Sequence, residues 1–283
     1  MPIRPRSAAL AAVAIAVVAA VIAGALTHGR SQPSSPTAQA PAPALTPAPP
    51  TVMDSTSCRP PAQHPQPVVL VHGTFATTSW QVIGPALAAR GYCVFTFNYG
   101  QAGTVEIAQS AHELATFVNR LLARTHAKKV SIVGHSEGGL MPRYYIRFLG
   151  GASKVRDLIG LAPSNHGTQN PLVLEGAALG CTACGEQEAI GSSFLANLNT
   201  GDEAPGPVDY TVIQTAYDEV VLPYTSAFLR GPASRVTNIT LQDRCPNDIA
   251  GHLGIPTDPV ALQWVEEALA SNGPANPAFR PRC

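Results

Sequence analysis

The chain has 283 residues, 45% of them hydrophobic and 13% charged, with a formal net charge of zero. This is enough apolar material for one large domain or two modest ones. The charge balance leaves no basic footprint for nucleic acid and no general attraction to anionic membranes, so neither is expected as a partner.

Residues 7–26 read SAALAAVAIAVVAAVIAGAL behind Arg4 and Arg6, with Ala23, Gly24 and Ala25 near the end of the run. A short basic start, an apolar run and a small-residue site form the pattern of a cleaved export signal. The run also approaches the length of a membrane span, so an uncleaved anchor is the alternative. Residues 31–57 include PTAQAPAPALTPAPP, too proline-rich for helix or sheet, and read as a semi-rigid linker. The expected organisation is therefore a signal or anchor in 1–30, a linker in 31–57 and one folded domain in 58–283, released outside the cell as a monomer.

Six cysteines follow the signal: Cys58, Cys93, Cys181, Cys184, Cys245 and Cys283. An even count in an exported protein reads as disulfides, and fifteen pairings are possible. We expect Cys58 with Cys93, Cys181 with Cys184, and Cys245 with Cys283, because the outer pairs would clamp the entry and exit of the domain. A redox reading of the C-T-A-C motif lacks the strand-then-helix setting such a motif needs.

Short β-branched runs are predicted as strands at 67–71, 92–97, 130–133, 155–161, 210–214 and 236–241. Helical patterns alternate with them at 80–90, at 105–123 and at 259–270; in the second, Ala111, Leu114, Val118, Leu121 and Leu122 share one face. Strands alternating with helices predict an α/β fold with a mostly parallel sheet covered by helices. The long connection from Ser164 to Pro207 predicts a cap inserted after the fourth strand. Its Leu172, Val173, Leu174, Leu179, Phe194 and Leu195 read either as an apolar pocket lining or as ordinary packing.

The third strand runs into GHSEGG, with Gly134 and Gly138 two residues to either side of Ser136, and then into a helix that meets Pro142 near its first turn. A strand that turns sharply into a helix forces its apex residue into a strained backbone, which explains the glycines and presents Ser136 Oγ as a nucleophile above the sheet. Chemistry in a parallel sheet gathers beyond the carboxyl ends of the strands, so the remaining roles are sought there. HGT after the first strand offers the backbone N–H of Thr74 as an oxyanion donor, paired with the N–H of Glu137 that follows the nucleophile. TAYDEVVLP after the fifth strand supplies Asp218, and the loop after the sixth supplies His252. The chain order Ser, Asp, His is that of a hydrolase triad, in which His252 is the base and Asp218 orients it. His166, after the fourth strand, is the rival base. Asp243 and Asp248 are lesser candidates for the orienting carboxylate, Asp258 before Pro259 reads as a helix N-cap, and His72 and His135 read as scaffold residues that order the loops.

LVHGTFA, GHSEGG, LAPSNHGT, TAYDEVVLP and GHLGI, in this order, resemble the class 2 lipases of exported bacterial proteins within the α/β-hydrolase superfamily, and the fungal lipase B enzymes. The resemblance covers about 58–283. It implies an α/β-hydrolase fold, a triacylglycerol lipase or carboxylesterase activity, a triad of Ser136, Asp218 and His252, and the outer disulfides as placed above. Glu137 departs from the fungal pattern, which has a neutral residue there. The chemistry needs no metal or other cofactor; a lipid or other ester is the expected substrate, with contact to a lipid interface. The alternatives are an envelope acyltransferase using the same acyl-enzyme and a non-catalytic binding protein on the same fold.

Overall fold

The structure is a computed structural model that describes residues 53–76, 80–188 and 190–283, all within one unit spanning 49–283. The expected signal or anchor and most of the expected linker lie outside the described residues. Met53 and Asp54, assigned to the linker by sequence, pack on the domain: Asp54 N–H donates to the Val94 carbonyl at 2.9 Å, and its carboxylate accepts from Thr96 N–H and hydroxyl.

Six strands form one parallel sheet: β1 Val68–Val71, β2 Val94–Phe97, β3 Val130–His135, β4 Val155–Leu161, β5 Asp209–Gln214 and β6 Val236–Thr240. Their spatial order is β2-β1-β3-β4-β5-β6, so the chain reverses its direction of travel across the sheet between β1 and β3. In such sheets the crevice beyond the carboxyl ends at the reversal is where ligands bind.

Helices cover both faces: α1 Ile83–Ala89, α2 Ile107–Thr125, α3 Glu137–Phe148, a cap of α4 Pro171–Ala178, α5 Thr182–Glu188 and α6 Ser193–Leu198, and α7 Pro259–Ala270. Strand alternation divides the core. Val69 and Val71 of β1 face the layer of α2, α3 and α6, whereas Val68 and Leu70 face α1 and α7. On the first side Leu114, Val118, Leu140 and Tyr145 are buried; on the second, Leu87, Trp264 and Val265.

Several element bounds shift by one or two residues, as at β2, β3 and α2, and two local features differ further. The helix predicted over 80–90 is shorter, at Ile83–Ala89. Pro142 sits in the second turn of α3, where its missing N–H removes the bond to the Gly138 carbonyl, and the helix continues through it because the segment is buried on both sides.

The disulfides are Cys58–Cys93, Cys181–Cys184 and Cys245–Cys283, the pairs preferred from the sequence. No helix among the described residues is long and apolar enough to cross a membrane.

Candidate active site

Ser136 stands between the last residue of β3 and the first of α3, at φ 55° and ψ −124°. This is a strained backbone for a residue with a Cβ, and such strain concentrates at functional sites. The flanking glycines are sterically required. A Cβ on Gly134 would lie 1.8 Å from the Gly138 carbonyl oxygen, and one on Gly138 would lie 2.2 Å from the carbonyl oxygen of Val71. Gly73 brings the β1 loop against the same turn, since its Cβ position is 2.9 Å from Ser136 Cβ.

The loops after β5 and β6 bring Asp218 and His252 together. His252 Nδ1 donates to Asp218 Oδ2 at 3.0 Å, with both side chains buried. The other carboxylate oxygen accepts the backbone N–H groups of Val220 at 2.8 Å and Val221 at 2.7 Å. Both Asp218 oxygens thus serve as acceptors, and a His252 ring that donates through Nδ1 turns Nε2 into its acceptor nitrogen.

His252 is tied directly to the residue beside Ser136. His135 Nε2 donates to the His252 carbonyl at 2.9 Å, and the two rings lie 4.8 Å apart. Burial, reinforced by the neighbouring His252, pulls the His135 imidazole down to about 3, so it is neutral and acts as a strut. His72 is also lowered by burial; its Nδ1 donates to Gly73 O and its Nε2 accepts from Tyr99 N–H. Both are the scaffold histidines expected from the sequence.

The rival residues have other partners. His166 has both ring nitrogens engaged, Nδ1 by the Ser226 carbonyl at 2.9 Å and Nε2 by Glu203 Oε1 at 3.2 Å. Asp258 accepts from Ala261 N–H as the N-cap of α7, with Pro259 in its first turn. Asp248 accepts from Ala250 N–H and shapes the His252 loop.

Sequence reasoning missed three features here. Glu219 Oε2 accepts the backbone N–H of His252 at 2.8 Å, so adjacent acidic residues hold the ring and the main chain of one histidine. Thr215 Oγ1 anchors the same loop by donating to the Ala250 carbonyl at 2.6 Å. Glu137 is 0% exposed, and its Oε2 accepts from the Thr74 hydroxyl at 2.6 Å. The first two follow from spatial proximity between β5 and β6 that no local pattern encodes, whereas Glu137 was visible as an acidic residue inside an otherwise neutral motif.

The cap side chains divide as well. Leu195 is buried in the core and Phe194 stacks on Tyr144 of α3 at 5.7 Å, so these two are packing residues, while Leu179 is exposed. The side chains of Leu172 and Leu174 lie outside the described residues. Among the described residues no cluster of His, Cys, Asp and Glu is arranged to hold a metal ion.

Known proteins bear on this geometry. The lipase B of Aspergillus fumigatus superposes with a TM-score of 0.67 at 26% identity, over 75% of this chain and 54% of that one. A Bacillus licheniformis lipase in its mature form gives 0.58 at 16% identity over 76% and 96%, a likeness of fold. The sheet and its helices are thus those of an α/β-hydrolase. Triacylglycerol lipases of Pseudarthrobacter phenanthrenivorans and Burkholderia plantarii are each 35% identical over 86 residues, 28% of this chain and 27% and 24% of theirs. The matched segment spans about a quarter of those curated relatives. The family model for lipase (class 2) matches residues 65–265, from just before β1 into α7, and the chain belongs to the class 2 lipase family.

Proposed function

We propose that this chain is a serine ester hydrolase that cleaves carboxylic esters of lipids through an acyl-enzyme on Ser136, acting outside the cytoplasm as a monomer. The observation that carries this reading is the buried Asp218–His252 pair, bonded through His135 to the strained turn that presents Ser136.

In the mechanism, Ser136 Oγ attacks the ester carbonyl carbon while His252 Nε2 takes its proton. The tetrahedral oxyanion would be held by the backbone N–H groups of Thr74 and Glu137. Collapse breaks the carbon–oxygen bond to the alcohol, which leaves with the proton from His252. Water then attacks the acyl-enzyme, again giving its proton to His252, and the acid departs as Ser136 recovers its hydrogen. Asp218 stabilises the imidazolium at each stage and takes no proton.

Membership of the class 2 lipases supports lipid esters as the substrate class, and three disulfides support an oxidising compartment. Secretion, with residues 1–30 as a cleaved signal and the linker and domain released together, remains part of the proposal. Ser136→Ala should lower hydrolysis of p-nitrophenyl esters by about 10⁴-fold or more without changing the circular dichroism spectrum. Activity within tenfold of the parent would refute the assignment.

A further inference from the structure

Glu137 is a fully buried carboxyl beside the reacting serine for which the mechanism uses only the backbone. Its side chain reaches from the start of α3 to the β1 loop and accepts the Thr74 hydroxyl at 2.6 Å. The surroundings are built to hold it there. Gly103 lies so close that a Cβ would sit 2.7 Å from Glu137 Oε2 and 3.1 Å from Thr74 Cα. The Tyr99 phenol is buried and raised well above its ordinary value, first by burial and then by the charge and hydrogen bonding of Glu137, and its hydroxyl donates to the His72 carbonyl at 2.9 Å.

The segment that supplies Gly103 is itself unusual. Gly100, Gln101, Ala102 and Gly103 all have positive φ, between 50° and 73°, and two of the four carry a Cβ. The left-handed run presents the Ala102 carbonyl to the Phe75 N–H at 2.7 Å, and Phe75 is also at positive φ. Gly100 N–H is in turn held by Glu113 Oε2 of α2 at 3.2 Å. Thr74 is therefore gripped on one side through its hydroxyl by Glu137 and on the other through its neighbour Phe75 by the left-handed turn. Strain of this kind persists only where the surroundings over-determine it.

We propose that the Glu137 side chain is a positioning residue of the oxyanion pair: its bond to the Thr74 hydroxyl, closed over by the turn at 100–103, aims the Thr74 backbone N–H at the developing oxyanion. This rests on the proposed roles of Ser136 and of the two backbone donors. Each residue then has two tasks, since Thr74 and Glu137 supply one N–H apiece to the transition state and are locked to each other through their side chains. An oxyanion donor displaced by a fraction of an ångström loses most of its value, because the interaction is made only in the transition state.

The test uses the full chain and p-nitrophenyl butyrate, with a trifluoromethyl ketone as a tetrahedral mimic. Thr74→Val removes the hydroxyl while keeping the size of the side chain, and Glu137→Ala removes the acceptor. Each should lower kcat by about 10- to 100-fold with KM changed less than threefold, and should weaken the ketone in step. The double variant should be no worse than the poorer single one, as expected for two halves of one interaction. Glu137→Gln, whose amide oxygen still accepts the bond, should recover most of the kcat that Ala loses. Losses that add in the double variant, a kcat within twofold of the parent in Thr74→Val, or a Gln variant as poor as Ala would each overturn the proposal. Ser136→Ala separates the two layers: if it stays active the proposed site itself is wrong, whereas an inactive Ser136→Ala beside a fully active Thr74→Val refutes the positioning role alone.

Discussion

At the scale of single residues, the candidate bases differ in what their ring nitrogens have left to offer. His252 is bonded through Nδ1 to a carboxylate and keeps Nε2 available, whereas His166 has a carbonyl on one nitrogen and Glu203 on the other. Glu203 also takes Arg230 through its backbone N–H and guanidinium, which makes the half-buried His166 part of a polar knot around the buried Glu203, between the β4 loop and the segment before β6. His252→Ala should therefore fall to within about tenfold of the Ser136→Ala level, because members of a triad act as a unit. His166→Ala should keep activity within about tenfold of the parent and instead lower thermal stability by about 0.5–1.5 kcal/mol, as expected for lost hydrogen bonds whose acceptors keep other donors, Arg230 on Glu203 Oε1 and the residue 166 N–H on the Ser226 carbonyl. Steady-state kinetics and thermal melts of the two variants check this pair, and the reverse ranking would move the base to the β4 loop.

At the scale of elements, the sheet also carries a group that works against it. Asp157 of β4 is buried near the amino-terminal end of that strand, bonded to the Ser131 hydroxyl and to Arg156. Burial pushes its carboxyl up to about 6, with Arg156 and the Ser131 bond opposing the shift. Its folded value lies above the unfolded one, so the folded state binds the extra proton. The stability this provides is complete below the unfolded value near 3.8 and is lost as pH rises through about 6. The difference is on the order of 3 kcal/mol. Asp157→Asn removes this dependence, so the melting temperature of the variant minus that of the parent should rise between pH 5 and pH 7.5, by about 5 °C for a domain of this size. Melts at the two pH values decide it; a constant difference would show that Asp157 does not change its ionisation between them.

The elements themselves were legible because their patterns are local. Val130 to Val133 is a β-branched strand signal, Asp258-Pro259 is a helix start, and Gly134 and Gly138 encode the turn they permit. Ser136, Asp218 and His252 could be placed at strand ends because strand order and chain order suffice for that. What the sequence did not disclose depends on register between distant strands and on loop conformation: Glu219 against the His252 main chain, Val220 and Val221 against Asp218, and the left-handed turn at 100–103. Gln101 and Ala102 have no compositional mark of positive φ, since that conformation is imposed by the packing around them. The start of the domain is hard to read for a related reason, because Asp54 joins it through bonds to β2 and Met53 through packing beside α1, neither of which a proline-rich stretch reveals.

At the scale of the whole molecule, several of the exposed apolar side chains lie on segments that follow the carboxyl ends of the strands, although Phe148 lies at the far end of α3. Phe75 follows β1 and is 68% exposed, Leu179 and Ile190 lie in the cap, Tyr217 follows β5, and Ile249 and Leu253 flank His252 at 80% and 73% exposed. Single exposed hydrophobics are ordinary, but a group on the loops that also supply the candidate site fits the proposed contact with a lipid interface. Removal of the proposed signal takes Arg4, Arg6 and Arg30 with it and leaves the remainder slightly acidic, so the secreted chain has no electrostatic reason to prefer anionic lipid. The proposed lipid substrate would then be met by adsorption, with these loops partly inserted among acyl chains. Fully burying a side chain of this size contributes about 1.5–3 kcal/mol. Ile249→Ser with Leu253→Ser should thus weaken adsorption to neutral emulsions by roughly 30-fold, about 2 kcal/mol for two partly inserted residues. Hydrolysis of a short, dissolved p-nitrophenyl ester should stay within a fewfold of the parent, which separates docking from damage to His252. Adsorption of the parent to neutral vesicles should also be unchanged between low and high salt, because burial and not charge drives it. Equal emulsion activity in parent and double variant would show that these side chains do not meet the lipid, and a parallel loss on the dissolved ester would show that they act through the site.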